Sequence, residues 1–369
     1  MTLASRAISR SLVLFAFSLT ATVAAAAPKF SALDVFQLEY ASDPQISPDG
    51  QQVVYVRQTN DIMTDSTRSN LWIVDSDGEN HRPLLSGRSD YSSPRWSPDG
   101  SRIAYLSDAE GSQQLYVRWM DTGQTALVTN LQKSPQSLSW SPDGSMLAFS
   151  MQVPVSTEPL AKPPAKPKGA EWAEPFKVID RVYYRADGAG YLEPAYSHIF
   201  IVPSDGGTAH QLTQGDFNHN GTVSFTPDAS EIVFAANRQD NWEHDPRESD
   251  IYSIALDSGE MTRLTDRDGP DGQPVVSPNG RLIAYVGFDE QNRGYENSLL
   301  YVMNRDGSNV RALTADLDRA VGTPRWNSNS NGIFVSYDDR GLRRIALVTL
   351  NGDITTYDHD LGGETLGRP

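Results

Sequence analysis

One line of text recurs through this chain. Ser-Pro-Asp-Gly stands at Ser47, Ser97 and Ser141, and it returns as Thr-Pro-Asp-Ala at Thr226, as Ser-Pro-Asn-Gly at Ser277 and, degenerate, as Asn-Ser-Asn-Ser at Asn327. The chemistry is that of a tight turn: a hydroxyl to cap it, a proline to preset φ, an Asp or Asn, and a glycine for the φ > 0 exit. An apolar or aromatic residue precedes each copy (Ile46, Trp96, Trp140, Phe225, Val276, Trp326), and a β-branched or aromatic run follows, as in Val53–Val56 and Ile103–Leu106.

A second strand-like run comes later in every copy, from Leu71, Leu115, Ile199, Ile251, Leu300 and Ile345. A glycine turn and a short last strand, often closing on Leu-Thr, complete the unit. This predicts four antiparallel strands per repeat. The intervals between turns are 50, 44, 85, 51 and 50 residues, so the long one holds an insertion. Periods of about 40–50 residues with short strands mark the blades of an all-β propeller rather than a helical solenoid. A sheet this small cannot bury both faces alone, and stacking around an axis solves that problem. The predicted blades are 34–87, 88–132, 133–216 with an insertion at 154–197, 217–269, 270–318 and 319–369, six in all or six of seven.

Residues 1–26 stand apart from this pattern. Arg6 and Arg10 precede an apolar stretch from Ser11 to Ala24 that leads into small residues, the three-part form of a secretory signal peptide. Removing two arginines from a formal charge of −16 leaves −18, a balance that argues against nucleic acid and anionic membranes as partners. The chain has no cysteine, hence neither disulfides nor a bacterial lipid anchor. A periplasmic or secreted protein is expected, with no cofactor.

The repeat resembles the PD40, or TolB-type, propeller unit. The segments Phe30–Gly50, Val178–Gly207, Ala236–Glu243 and Leu317–Trp326 resemble the propeller of exported prolyl oligopeptidase family serine peptidases, similar to acylaminoacyl peptidases and dipeptidyl aminopeptidases. That resemblance implies a parent in which the propeller gates access of short peptides to a C-terminal α/β-hydrolase domain. No G-x-S-x-G nucleophile elbow occurs in these 369 residues, so no catalytic residue is expected here. The alternative is a free-standing TolB-like propeller that binds a protein partner.

Site candidates concentrate in the insertion. Its Pro/Lys/Ala-rich first part reads as a tether, and its second part interleaves aromatics with charges. A carboxylate there would pair with a peptide's free amino end, and an arginine with a carbonyl or carboxylate, so Glu174, Arg181, Tyr184, Arg185 and Glu193 are the expected substrate contacts. Metal binding is not expected. The loops at Asp75 and Asn304 lack the calcium pattern, and His198, His210 and His219 lack zinc spacing.

Overall fold

The computed structural model describes residues 30–156, 164–173, 177–219 and 221–362. Among these, six four-stranded antiparallel sheets span 39–85, 91–127, 135–211, 224–263, 271–312 and 321–362, and Arg185–Ala186 pairs with Gly190–Tyr191 in a separate hairpin. Spatial order within each sheet follows chain order. The third sheet keeps this rule, because its inserted hairpin lies between its second and third strands.

The repeated tetrapeptides join first strands to second. Ser97 Oγ donates to Asp99 at 2.6 Å and accepts the Arg102 N–H at 2.9 Å, while the Gly100 N–H closes onto the Ser97 carbonyl at 2.9 Å. The same three bonds form at Ser47, Ser141, Thr226 and Ser277. A buried hydroxyl that both donates and accepts explains why Ser or Thr stands there. Gly100 has φ +72°, but the degenerate copies force Ala229 and Ser330 to φ +54° and +57°. An L-residue with a Cβ is disfavoured in this region by about 1 kcal/mol. Ala229→Gly is therefore expected to raise stability by about 0.5–1 kcal/mol, net of the entropy glycine adds to the unfolded chain, in denaturant titrations. Ser330→Gly should show no such gain, because the buried Ser330 hydroxyl accepts the Asn279 N–H at 3.1 Å and that bond would be lost.

Beyond the turn, the paired central strands place aromatics opposite one another at a recurring position. Tyr105 faces Tyr116, Phe149 faces Phe200, Phe234 faces Tyr252 and Tyr285 faces Tyr301. The described residues build an apolar core between each pair of consecutive sheets, such as the one joining Leu115, Val117, Leu138, Trp140, Leu147 and Phe149. The inner blades bury consecutive residues on their second strands, Ile103 to Ser107 for example, because both faces are covered. The first and last blades behave differently. There burial alternates, with Val54 and Val56 or Ile333, Val335 and Tyr337 inside and their neighbours half-exposed. Ile46, counterpart of the buried Trp140, is 68% exposed. Each end blade thus has one covered face, where the repeat argument has all faces covered.

First strands of consecutive blades touch one another from blade one to blade three and from blade four to blade six, which makes them the inner ring. Tryptophan indoles tie this ring together. Trp96 donates to the Gln45 carbonyl at 3.1 Å, Trp140 to Arg95 at 2.9 Å and Trp326 to Val275 at 2.9 Å, each reaching back one blade. Most first strands carry a bulge three residues before that position, with Asp43, Ser93, Ser137, Gln273 and Thr323 at φ between 48° and 53°. No helix among the described residues is long and apolar enough to cross a membrane.

Candidate functional site

Connections between second and third strands all leave the propeller on one side, so the blade-three insertion and the corresponding loop of blade four are neighbours. The insertion departs after Pro154 and returns at Ala195, residues paired across the two long central strands. The blade-four loop, 237–249, is folded by its own polar groups: Asn237 Nδ2 donates to the Asp245 carbonyl at 2.8 Å, and the His244 N–H to Asn241 at 2.8 Å. Between the two lies a cleft of about 920 Å³.

Its wall is aromatic. Trp242, from blade four, stacks on Tyr183 of the insertion at 6.5 Å and 6°, and meets the edge of Tyr196 at 6.2 Å. The Arg181 guanidinium lies 4.7 Å over the Tyr196 ring, and Lys177 lies 4.1 Å over Tyr191. Carboxylates alternate with these rings. Glu243 Oε2 accepts the Val182 N–H at 3.3 Å, joining the loops through a group that retains acceptor capacity. Glu193 pairs with Lys133 at 2.7 Å at the exposed rim, and that bond holds its carboxyl below the usual range. Glu248 is buried, accepts the Gly269 N–H at 2.8 Å, and is pushed up by burial and then by Asp250, Asp245 and Asp268. Flat aromatic surface beside the Glu243 carboxylate suits an amine carried on an apolar or peptide body.

Of the residues singled out in the sequence, Arg181, Tyr184 and Glu193 line this cleft. Arg185 lies on the small exposed hairpin and is not among the lining residues. Glu174 lies outside the described residues, as do residues 1–29 with the signal-peptide pattern. Trp242, Glu243 and Glu248 were not singled out. Trp242 and Glu243 lie in the Ala236–Glu243 segment, which resembles a peptidase propeller; no motif marks Glu248.

The turn at Asp75 is occupied by protein donors, Gln52 Nε2 at 3.0 Å and Asn80 Nδ2 at 2.6 Å. Among the described residues no group of three or more His, Asp or Glu side chains is placed to hold a metal ion. His198 and His219 bond to Thr213, to the Ser197 carbonyl and to Arg238, not to a serine hydroxyl.

Residues 51–156 match the model of the TolB beta propeller domain, and residues 177–292 match that of the dipeptidyl peptidase IV N-terminal region. An uncharacterized peptidase of Bacillus subtilis, YuxL, is 27% identical over 334 residues, covering 86% of this chain and 50% of that protein. Dipeptidyl-peptidase 5 of Porphyromonas endodontalis is 27% identical over 271 residues, covering 69% and 38%. Among solved structures, the acylaminoacyl peptidase of Pyrococcus horikoshii superposes with a TM-score of 0.66 at 17% identity, over 88% of this chain and 46% of that one, a likeness of fold. The chain spans half or less of the length of these relatives. Its described residues form a six-bladed β-propeller with PD40, TolB-type repeats, and from the third blade into the fifth the chain matches the N-terminal region of dipeptidyl peptidase IV.

Proposed function

We propose that this propeller receives short peptides for an exported serine peptidase and holds their amino ends in the cleft between blades three and four. The observation that carries the reading is Trp242, clasped by Tyr183 and Tyr196 beside the Glu243 carboxylate. It lies within the stretch that matches the dipeptidyl peptidase IV N-terminal region, and relatives over most of the chain bear peptidase names. The rings offer an apolar seat, the carboxylates attract an ammonium group, and Arg181 and Tyr184 face the peptide backbone. Glu174 and Arg185 remain proposed outer contacts. The bond-breaking serine is proposed to lie outside the propeller.

Calorimetric titration with Ala-Ala-Phe-amide tests the assignment. The free-amine peptide is expected to bind at least about fivefold more tightly than its acetylated form, the effect of one charge-assisted contact at a partly solvated site. Glu243→Gln should erase that ratio, and Trp242→Ala should weaken both peptides. Equal affinity of the two peptides for the unaltered protein would sink the reading. Export is proposed from the leader pattern alone, and sequencing of secreted protein is expected to begin at Ala27.

The match of residues 51–156 to the TolB propeller domain favours a second reading, a module that docks a protein segment. On that reading the acetylated and free peptides bind alike.

A further inference from the structure

Arg95 and Arg325 hold the same place in two repeats, one residue before the tryptophan in Pro94-Arg95-Trp96 and Pro324-Arg325-Trp326. Both lie on first strands just past the bulge, in blades two and six, on the inner ring. Each guanidinium donates to the carbonyl of its own preceding proline, at 2.7 and 3.0 Å.

Beyond that bond their surroundings differ. Arg95 Nη1 reaches both oxygens of Asp43, the bulge residue one blade earlier, at 3.0 and 2.8 Å. The bulge residue one blade before Arg325 is Gln273, which is neutral, and its Oε1 already accepts the Thr323 N–H at 2.8 Å. Among the described residues no carboxylate pairs with Arg325, although its side chain is open to solvent. Surrounding protein first, and Arg95 second, pull its pKa below the ordinary arginine range. Blades two and six are not consecutive, so that influence of one arginine on the other crosses the inner ring. The result is a cation without a counter-charge in a chain whose formal charge is −16. A guanidinium in this position, with planar paired donors, is matched by a carboxylate.

We propose that Arg325 is a carboxylate-binding station on the inner ring of the propeller, taking the carboxyl terminus of a peptide or an acidic side chain of a protein segment that enters the central opening. It does not depend on the amine-binding cleft, and it suits a peptide-receiving propeller and a docking module alike.

Three acetylated probes, which lack a free amine for the cleft, test it by calorimetry at low salt: Ac-Ala-Ala-Ala-OH, Ac-Ala-Ala-Ala-NH2 and Ac-Ala-Glu-Ala-NH2. At least one carboxylate-bearing probe is expected to bind about tenfold or more tightly than the uncharged amide. Which of the two does so distinguishes a terminal from a side-chain carboxylate. Arg325→Gln should abolish the preference. Gln273→Glu should abolish it as well, with Arg325 retained, because it keeps the acceptor for Thr323 and supplies the missing counter-charge from within. Neither change should lower Tm, since the first relieves like-charge repulsion and the second neutralises it. Equal binding of all three probes, including no detectable binding, overturns the proposal. So does a preference that survives Arg325→Gln, or a fall of several degrees in the Tm of that variant, which would show the guanidinium already engaged within the fold.

Discussion

Gly287→Ala is expected to destabilise the propeller by about 3 kcal/mol or more, the cost of breaking a buried ion pair by steric intrusion. Gly287 ends the second strand of blade five and pairs across the sheet with Asp271. A Cβ there would intrude on the Arg267 guanidinium, the Asp271 carboxylate and the Pro270 carbonyl. The first two form an ion pair in which Asp271 is fully buried, with Oδ2 unpartnered, so the pair has little freedom to move. The third is backbone, so relief would require displacing the chain where it enters the first strand of blade five. Gly272, on the neighbouring first strand, is the control: nothing lies within 4 Å of a Cβ built there, and its φ is unremarkable for an L-residue. Gly272→Ala is expected to stay within about 1 kcal/mol of the parent. Thermal melts of the two variants that coincide would refute the account of Gly287.

Acidification produces the second large effect, and only a comparison of variants exposes it. His219 is buried, and its Nε2 accepts from Arg238 Nη1 at 2.6 Å while its Nδ1 donates to the Ser197 carbonyl at 3.2 Å. Burial first and Arg238 second bring its pKa down from 6.5 to about 3. A histidine lowered in this way contributes stability that is complete above pH 6.5 and is lost as pH falls toward 3, because the unfolded chain takes the proton first. Between pH 7 and pH 5 the loss amounts to about 2 kcal/mol. Asp271 acts in the opposite sense. Burial raises it to about 6, against the pull of Arg267, so the folded state gains by binding a proton over the same interval. His198, also lowered by burial and Arg238, adds to the His219 side, and Glu248 and Asp250, raised by burial, add to the Asp271 side, so the parent's own melt does not isolate any one of them. His219→Asn removes one member of this balance. Whatever it costs at pH 7, its Tm relative to the parent should rise by several degrees at pH 5. A difference that stays flat across that interval would show that His219 is not held neutral by its surroundings.

The two effects rest on contacts with different histories in the chain. The turn at Ser97 is complete within six residues, Ser97 to Arg102, and the aromatic pairs follow from runs with strand alternation on either side of a connection. Such features are local and repeated, so reading them once identifies six blades and the all-β class. The departures at Ala229 and Ser330 are legible in the same way, since a residue other than glycine in the exit position must adopt positive φ there. The cleft is different. Aromatics interleaved with charges distinguish the insertion, and its Arg181, Tyr184 and Glu193 line the cleft. Trp242 and Glu243 come from another blade, 61 residues away in the Val182–Glu243 bond, and no local pattern states which loops will face one another.

What the amino-acid order determined by itself is the unit: its turn chemistry, its four strands, its period and the place where one copy is interrupted. These depend on bonds between residues near in sequence and on hydrophobic alternation along a strand. The tertiary structure alone decided which charges lack partners and which faces lack cover, because both depend on how sheets stack around the axis. Asp43 stands opposite Arg95 while Gln273 stands where Arg325 would need an acid, and Ile46 is exposed where Trp140 is buried. Repeats that are alike as text become unlike in space once their neighbours differ.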